Sequence, residues 1–429
     1  MTIKLITAIL FGKIIFHITQ ILKIGGGSAA PGYYALKIYP NLIKDLASKI
    51  PQTIIITGTN GKTTTSRMLA QIAEEQGFNV IRNYTGSNLE RGIASTLLAN
   101  YQLPTTNYQP NLAVWELDEA AFNSVALKLK PDAIVFLNVF RDQLDRYGEV
   151  DAVVSKWCQT LAKIDPKTKI FINSDDCNLL QLKKYFSGQI QTFGVKDYKI
   201  QGEKIIHQKE KANLDFEATN IQPQGLNQIN FSINGQAFSL PVPGIYHVYN
   251  FLASYCLAKY LNIPDTTINH ALQEYSPAFG RVEKFNQGYI FLIKNPAGAT
   301  QVFQTIAPEI KSQDRLLLAL NDNLADGTDV SWIWDADFER LTINYKQSLP
   351  TGERLTICSG TRANDLVVRL KYAGFNPKQI TVSPSLENAM QEARNGLKGT
   401  LYVLPTYTAM LELQRILAKQ GLKEEYWNE

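Results

Sequence analysis

Nine consecutive residues, Thr57-Gly58-Thr59-Asn60-Gly61-Lys62-Thr63-Thr64-Thr65, have the types and spacing to hold a polyphosphate. They follow the apolar run Thr53-Ile54-Ile55-Ile56 and precede a helical pattern, Ser66-Arg67-Met68-Leu69-Ala70-Gln71-Ile72-Ala73. Strand, glycine loop, lysine and hydroxyl, then helix, is the layout of a phosphate-binding loop. Gly58 and Gly61 let backbone N–H groups approach phosphate oxygens, and the helix N-terminus adds a favourable dipole. Lys62 is predicted to neutralise the β- and γ-phosphates of ATP, and Thr63 to hold Mg²⁺. Thr59, Asn60 and Thr64 complete the expected nucleotide-binding set. The general signature wants a glycine where this chain has Ile56, so the loop is a variant. The competing reading is a tight turn with a surface lysine.

A second group of chemistry-bearing residues is Trp115-Glu116-Leu117-Asp118-Glu119, which closes an apolar strand with acids. Carboxylates at the carboxyl end of a parallel strand face the ligand crevice. Beside a phosphate loop they can bind Mg²⁺ directly or through water. Their plainer alternative is helix capping in solvent.

The elements that must position these groups follow from periodicity. Between about 50 and 185, short apolar runs alternate with helical patterns. The runs include Ile54–Ile56, Leu112–Trp115, Ala133–Leu137 and Lys169–Ile172. That alternation predicts a parallel α/β sheet. Residues 188–243 read as hairpins, with Ile229-Asn230-Phe231-Ser232-Ile233 alternating ahead of the turn Asn234-Gly235. A helical stretch, 247–275, comes next. From about 284 a second α/β alternation begins, with strands near Leu316–Leu320, Arg354–Ile357 and Thr400–Leu404.

With 429 residues and 45% hydrophobic content, the chain has room for two or three domains with real cores. The net charge of +4, without a basic run interleaved with aromatics, argues against a nucleic-acid partner. Cys158, Cys177, Cys256 and Cys358 form no C-x-x-C pair, which predicts neither zinc nor disulfides and fits a cytoplasmic protein. Ile3 to Ile24 is apolar but broken by Lys4, Lys13, His17, Gln20 and Lys23, too interrupted for a transmembrane span. It is expected to form an amphipathic helix. Packing on the next domain and membrane-surface contact through residues 3–24 are both open.

The wording of the loop resembles the ATP loop of the Mur ligase family, whose members use ATP to join amines to carboxylates of peptidoglycan precursors. Other matching segments follow in order. Glu116 best matches the family's metal-binding glutamate. Leu137-Asn138-Val139-Phe140-Arg141-Asp142-Gln143-Leu144-Asp145-Arg146-Tyr147-Gly148 resembles its Asn…Asp-His-Leu-Asp segment, with Gln143 and Tyr147 standing where histidines are usual. Asn173-Ser174-Asp175-Asp176 resembles its Asn-x-Asp-Asp turn. Tyr246-His247-Val248-Tyr249-Asn250 resembles the segment whose last asparagine sits by the adenine, which gives Asn250 that role. Helix capping is the alternative for Asn250. Gly280-Arg281-Val282-Glu283 resembles the domain-junction motif whose arginine meets ATP phosphate, here Arg281.

The last third narrows the resemblance to the MurT-type synthetase subunits of lipid II isoglutaminyl synthases. It rests on Lys294-Asn295-Pro296-Ala297-Gly298, Asn321 to Asp335, Ser359-Gly360-Thr361-Arg362 and Pro405 to Leu411. The resemblance implies an α/β protein in three parts. These are an N-terminal helix and connector (1–49), a central phosphate-loop ATPase domain (50–283) and a Rossmann-like C-terminal domain (284–429). The loop arrives after only about fifty residues, so no UDP-binding domain is expected ahead of it. The four-cysteine zinc ribbon of many such subunits is missing from 188–243, so no zinc is expected. The implied reaction is ATP-dependent amidation of a D-glutamate α-carboxylate in the lipid II stem peptide. ATP and Mg²⁺ are the implied cofactors, with Lys62 and Glu116 catalytic. Ammonia would come from a GatD-like class-I glutaminase, the second subunit of a heterodimer, whose Cys-His pair is completed by an aspartate of this chain. Asp329 is the choice, with Asp326 and Asp335 as alternatives. A stand-alone Mur or folylpolyglutamate-type amino-acid ligase, and a non-catalytic ATP-binding subunit, are the other readings.

Overall fold

The computed structural model describes residues 2–21, 29–83, 87–101, 110–140, 150–196, 214–273, 275, 282–343 and 356–421. Apolar β-rich runs become strands, and the turn residues between them set the edges. Nine strands make the first sheet: β1 (Gln52–Thr57), β2 (Val80–Arg82), β3 (Leu112–Leu117), β4 (Ala133–Phe136), β5 (Lys169–Asn173), β6 (Ile190–Val195), β7 (Phe216–Gln224), β8 (Gln228–Ile233) and β9 (Gln236–Leu240). Their order is β2-β3-β1-β4-β5-β6-β7-β8-β9. Pairing is parallel from β2 through β7 and antiparallel from β7 to β9. The Asn234-Gly235 turn joins β8 to β9 with both residues at positive φ, 47° and 89°. That backbone twist suits a two-residue hairpin.

Register decides where chemistry can gather. Ile56 pairs with Glu116 of β3, and Thr57 pairs with Phe136 of β4. The carboxyl ends of these three adjacent strands therefore lie level. The chain crosses from one side of β1 to the other between β3 and β4, and ligands of open α/β sheets bind at such a crossing.

Both faces of the parallel part of the sheet are covered, which explains why β1, β3, β4 and β5 are buried nearly throughout, whereas β7 to β9 alternate between buried and exposed positions. Ile54 and Ile56 point to one core with Met68, Leu69 and Phe251, from the helices Lys62–Glu75 and Ile245–Tyr260. Ile55, Trp115 and Phe136 point to the other, with Phe122 and Trp157 from the helices Glu119–Leu129 and Val150–Leu161. Phe136 packs 5.2 Å from both Phe122 and Trp157, centroid to centroid. The helices Ile3–Ile21, Ala30–Ile38 and Leu42–Ala47 join this second layer.

A second sheet follows: β10 (Glu283–Phe285), β11 (Gly288–Ile290), β12 (Arg315–Ala319), β13 (Thr356–Ser359), β14 (Ile380–Val382) and β15 (Leu401–Pro405). Its order is β10-β11-β15-β12-β13-β14, parallel except for the β10–β11 pair. Its two faces are also covered, by separate clusters built on Leu316 and Leu318 and on Leu317 and Ala319.

Gly32 sets the closest approach of two helices. Its N–H donates to Ser95 Oγ at 2.8 Å, and an added Cβ would sit 2.0 Å from the Arg91 carbonyl oxygen. Gly32→Ala should destabilise the fold by about 1–3 kcal/mol through overpacking, read as a lower urea midpoint. An unchanged midpoint would show that the helix Ala30–Ile38 can slide away at no cost.

Candidate active site

The phosphate loop leaves β1 at Thr57 and enters its helix at Lys62. Gly58 and Gly61 have φ of 142° and 93°. A Cβ on Gly58 would lie 2.8 Å from the Asn138 carbonyl oxygen, and one on Gly61 would lie 2.1 Å from Asn250 Oδ1. Both glycines are thus required by conformation and by space. Asn138, just past β4, clamps the loop. Its Oδ1 accepts the Asn60 N–H at 2.8 Å and its Nδ2 donates to the Asn60 carbonyl at 3.0 Å. Its own carbonyl accepts the Thr59 N–H at 3.0 Å. Asn138 was expected near the active site, and here it holds loop backbone.

Lys62 is buried, only 8% exposed, which is not the surface lysine of the competing reading. Nζ folds back to donate to the Gly58 carbonyl and to the Thr59 carbonyl at 3.2 Å. It also lies 3.5 Å from Glu119 Oε2 and 3.6 Å from Asp118 Oδ1. Two carboxylates at the end of β3 outcompete water for an ammonium on the first residue of the facing helix. Sequence reading had ranked Asp118 and Glu119 below Glu116; their part here is to pair with Lys62.

Glu116 is 2% exposed. Thr63 Oγ1 donates to its Oε2 at 2.8 Å, and Ser66 Oγ donates to its Oε1. Burial pushes its carboxyl above the ordinary value, against the hydrogen bonds of Ser66 and Thr63 and the charges of Lys62 and Arg82. Asn83 fixes the backbone there: its Oδ1 accepts the Glu116 N–H at 2.9 Å and its Nδ2 donates to the Glu116 carbonyl at 3.0 Å. Neither Ser66 nor Asn83 was singled out from sequence. An amide directly after β2, at the carboxyl edge, was the available signal for Asn83.

Across the loop lies an open cleft between the two domains. The first domain lines it with Asn60, Gly61, Thr64 and Asn250, and the second with Lys294 and Gln301. Asn250 belongs to the second turn of the helix Ile245–Tyr260, whose N-cap is Gly244, so the capping role is excluded. The two domains meet through a reciprocal amide pair. Asn60 Nδ2 donates to Asn295 Oδ1 at 3.3 Å, and Asn295 Nδ2 donates to Asn60 Oδ1 at 3.0 Å. Asn295 also caps the helix Pro296–Ile306 by accepting the Gly298 N–H at 2.8 Å. The Asn-x-Asp-Asp turn is a strand tie. Asp175 Oδ2 accepts Tyr249 Oη–H at 2.6 Å and the Val195 N–H at 2.7 Å, and Asp176 accepts the Val139 N–H at 2.7 Å. Arg281, Asp142, Gln143 and Tyr147 lie outside the described residues.

These residues fit a nucleotide polyphosphate with a hard cation. The Thr64 hydroxyl is buried beside Gly61 without a hydrogen-bond partner among the described residues. Thr63 and Glu116 offer oxygen donors of the kind Mg²⁺ takes.

The acids of 322–335 separate by environment. Asp326 is buried, accepting the Thr408 N–H at 2.8 Å and the Thr408 hydroxyl at 2.5 Å. Asp329 and Asp335 are exposed, and Asp329 accepts the Ser331 N–H at 2.8 Å. Asp322 accepts from Thr361 Oγ1 at 2.8 Å and from Arg362 at 3.2 Å. Those bonds, the Thr361 one foremost, hold its carboxyl below the ordinary range. Asn321 links the network onward, donating to Thr408 Oγ1 at 3.0 Å. Three of the four C-terminal motifs, Asn321 to Asp335, Ser359 to Arg362 and Pro405 to Leu411, thus converge where β12, β13 and β15 end.

Known proteins share this plan. The Mur ligase middle domain family matches residues 56–258, and the MurT ligase C-terminal family matches residues 292–410. The MurT subunit of lipid II isoglutaminyl synthase (glutamine-hydrolyzing) from Streptococcus pneumoniae is 31% identical over 95% of this chain and 96% of its own. Among solved structures, MurF from Acinetobacter baumannii superposes with a TM-score of 0.68 at 17% identity, covering 91% of this chain and 80% of that one. MurF from Thermotoga maritima, in complex with ADP, gives 0.64 at 14% identity, covering 90% and 85%. With its loop, its buried glutamate and both matched domains in one chain, this protein belongs to the MurT family of Mur-ligase-like subunits.

Proposed function

We propose that the chain is the synthetase subunit of a glutamine-hydrolysing lipid II isoglutaminyl synthase. It converts the α-carboxylate of D-glutamate in the lipid II stem peptide to the amide of D-isoglutamine. One observation carries the chemistry: a glycine loop with a hydroxyl–carboxylate pair, Thr63 and Glu116, opens on a cleft shared with the second domain. The near full-length likeness to a subunit of that name supports the substrate. On this reading residues 1–49, 50–283 and 284–429 are the three parts of the chain.

A carboxylate is a poor electrophile, so it needs a leaving group. A substrate carboxylate oxygen attacks the γ-phosphorus of ATP, ADP departs, and an acyl phosphate forms. Ammonia then attacks the carbonyl carbon, phosphate leaves with the C–O electron pair, and the nitrogen loses a proton. Charge spreads over the transferring phosphoryl oxygens in the first step, and positioned cations stabilise it. Lys62 supplies one once its ammonium moves from Asp118 and Glu119 to phosphate, and Arg281 supplies another. The N–H groups of Gly61 and Lys62, at the start of the loop helix, cradle the phosphates, and Asn250 orients the adenine. Thr63 and Glu116 would hold Mg²⁺, which neutralises phosphate charge when bound.

Ammonia is the partner's product. Burial pushes the thiols of Cys158, Cys256 and Cys358 above their ordinary value, Cys358 to about 12, which disfavours a nucleophilic thiolate at those three positions, while Cys177 is exposed. A GatD-like class-I glutaminase fills that role, and its imidazole is oriented by Asp329. The exposure of Asp329 suits contact across an interface, whereas Asp326 is held by Thr408.

Three variants test this reading. Lys62→Ala should lower ATP turnover by roughly 10² or more with an unchanged far-UV spectrum; wild-type rates would refute the loop assignment. For Glu116, the folded pKa lies above the ordinary 4.5. The folded state therefore holds the proton more tightly than the unfolded one, and stability falls as pH rises from 4.5 through the folded pKa. Glu116→Gln removes that penalty, so the ligand-free variant should melt higher than wild type at pH 7 while losing stabilisation by MgATP. A lower melting point would contradict the account. Asp329→Asn should depress amidation from glutamine, by up to about 10⁴, and spare amidation from ammonium chloride. Equal loss with both donors would move Asp329 into the synthetase site.

A further inference from the structure

The helix Ile3–Ile21 has two apolar faces instead of the expected one. Leu5, Ala8 and Ile9 are buried against the body. Gly12 lies so close to Leu98 that an added Cβ would sit 2.6 Å from its Cδ1. On the outer side, Ile3, Ile6, Leu10, Ile14, Ile18 and Ile21 repeat at spacings of three and four, which is one helix face. With Phe11 beside them, they are between 41% and 84% exposed. Tyr33 and Tyr34, from the next helix, extend the patch, and Tyr34 meets Phe11 edge-on at 6.5 Å. These nine are half of the 18 large apolar side chains that are exposed among the described residues. Exposure on this scale is a concentrated patch and marks an interaction surface.

Charge selects the occupant. The first acidic residue of the sequence is Asp45, while Lys4, Lys13, Lys23, Lys37 and Lys44 precede or adjoin it. The residues from 45 onward hold 38 Lys and Arg against 39 Asp and Glu, so the whole positive excess of the chain lies in its first 44 residues. Lys4 is exposed at its start. Lys13 is held at its flank, donating to the Tyr101 carbonyl at 2.6 Å, and Lys37 lies 4.5 Å above the Tyr33 ring. Two copies meeting face to face would bring these cations together. No helix among the described residues is long and apolar enough to cross a membrane. The helix is about 28 Å long at 1.5 Å per residue and is packed on the body through Leu5, Ala8, Ile9 and Gly12.

We propose that this helix lies flat on an anionic lipid bilayer. Its isoleucine face enters the boundary between headgroups and acyl chains, and its lysines contact lipid phosphates. Shallow burial of such a face, with cations at its border, is the interfacial mode of binding, and tyrosines suit the headgroup depth. The rigid docking of the inner face would hold the protein body at a set height above the lipid.

The test is flotation of the full chain with vesicles of phosphatidylcholine alone or mixed with phosphatidylglycerol. No peptide-bearing lipid is present, so the outcome is independent of the amidation reading. The expected result is at least ten-fold stronger partitioning onto the anionic vesicles, falling with added salt. Leu10→Glu with Ile14→Glu should cut that partitioning at least ten-fold. Both residues are exposed, so the unfolding midpoint and ATP turnover should stay at wild-type values and certify the fold. Wild-type protein that stays with neither vesicle, equal partitioning onto both, or a double variant that floats like wild type would each overturn the proposal. Self-association abolished by the same double variant, seen by light scattering without flotation, would assign the face to a second copy and overturn it too.

Discussion

Glu116 sits in a strand covered on both faces, and its carboxylate must be compensated where water does not reach. Every neighbouring feature answers that constraint. Thr63 and Ser66, a turn apart on the loop helix, aim their hydroxyls at its two oxygens. Asn83 holds both of its backbone polar groups. The arrangement works because β1 and β3 pair in register, which sets the start of the loop helix level with the end of β3. A shift of one residue would turn Glu116 to the opposite core, among Phe122 and Trp157. The charge that is costly to the fold is the one a bound cation needs.

Asparagine amides carry much of the remaining order. Asn83, Asn138 and Asn295 each satisfy a donor and an acceptor of a neighbouring segment, and all three lie at carboxyl ends of strands or at the next helix start. An amide can do this where a carboxylate or a lysine cannot, because it offers both kinds of group without a charge to desolvate. The Asn60–Asn295 pair is the point where the two sheets' domains touch at the cleft. A loop that binds phosphate is thereby tied to the first turn of a helix in the other domain. Binding and relative domain placement then share one set of hydrogen bonds.

Lys62 illustrates how a side chain reads differently before and after folding. Its ammonium is engaged by loop carbonyls and by Asp118 and Glu119. A polyphosphate must win it from those partners, so part of the binding energy goes into exchanging one set of charge-assisted contacts for another. The acids that hold Lys62 also keep it beside the loop, which shortens the movement required.

The loop, its strand and helix, the α/β class, the hairpin turn at Asn234-Gly235 and the acid at the end of β3 were legible in the sequence. Each depends on local rules: glycine tolerance of positive φ, apolar periodicity, and turn preference. The family resemblance rested on the same short segments. Three other properties depended on the tertiary structure. The resemblance singled out Glu116, but the pairing of Asp118 and Glu119 with Lys62 was not legible, because it depends on which oxygens face Thr63 and Ser66 and which face Lys62. Asp326 and Asp329 look alike as turn residues; one is held by Thr408, 82 residues away, and the other is exposed. The helix Ile3–Ile21 was expected to show one apolar face. Packing consumes only the Leu5, Ala8 and Ile9 side of it, so the rest of its apolar surface stays outside. In all three cases the deciding contact joins residues far apart in the chain, and no local pattern encodes such a distance.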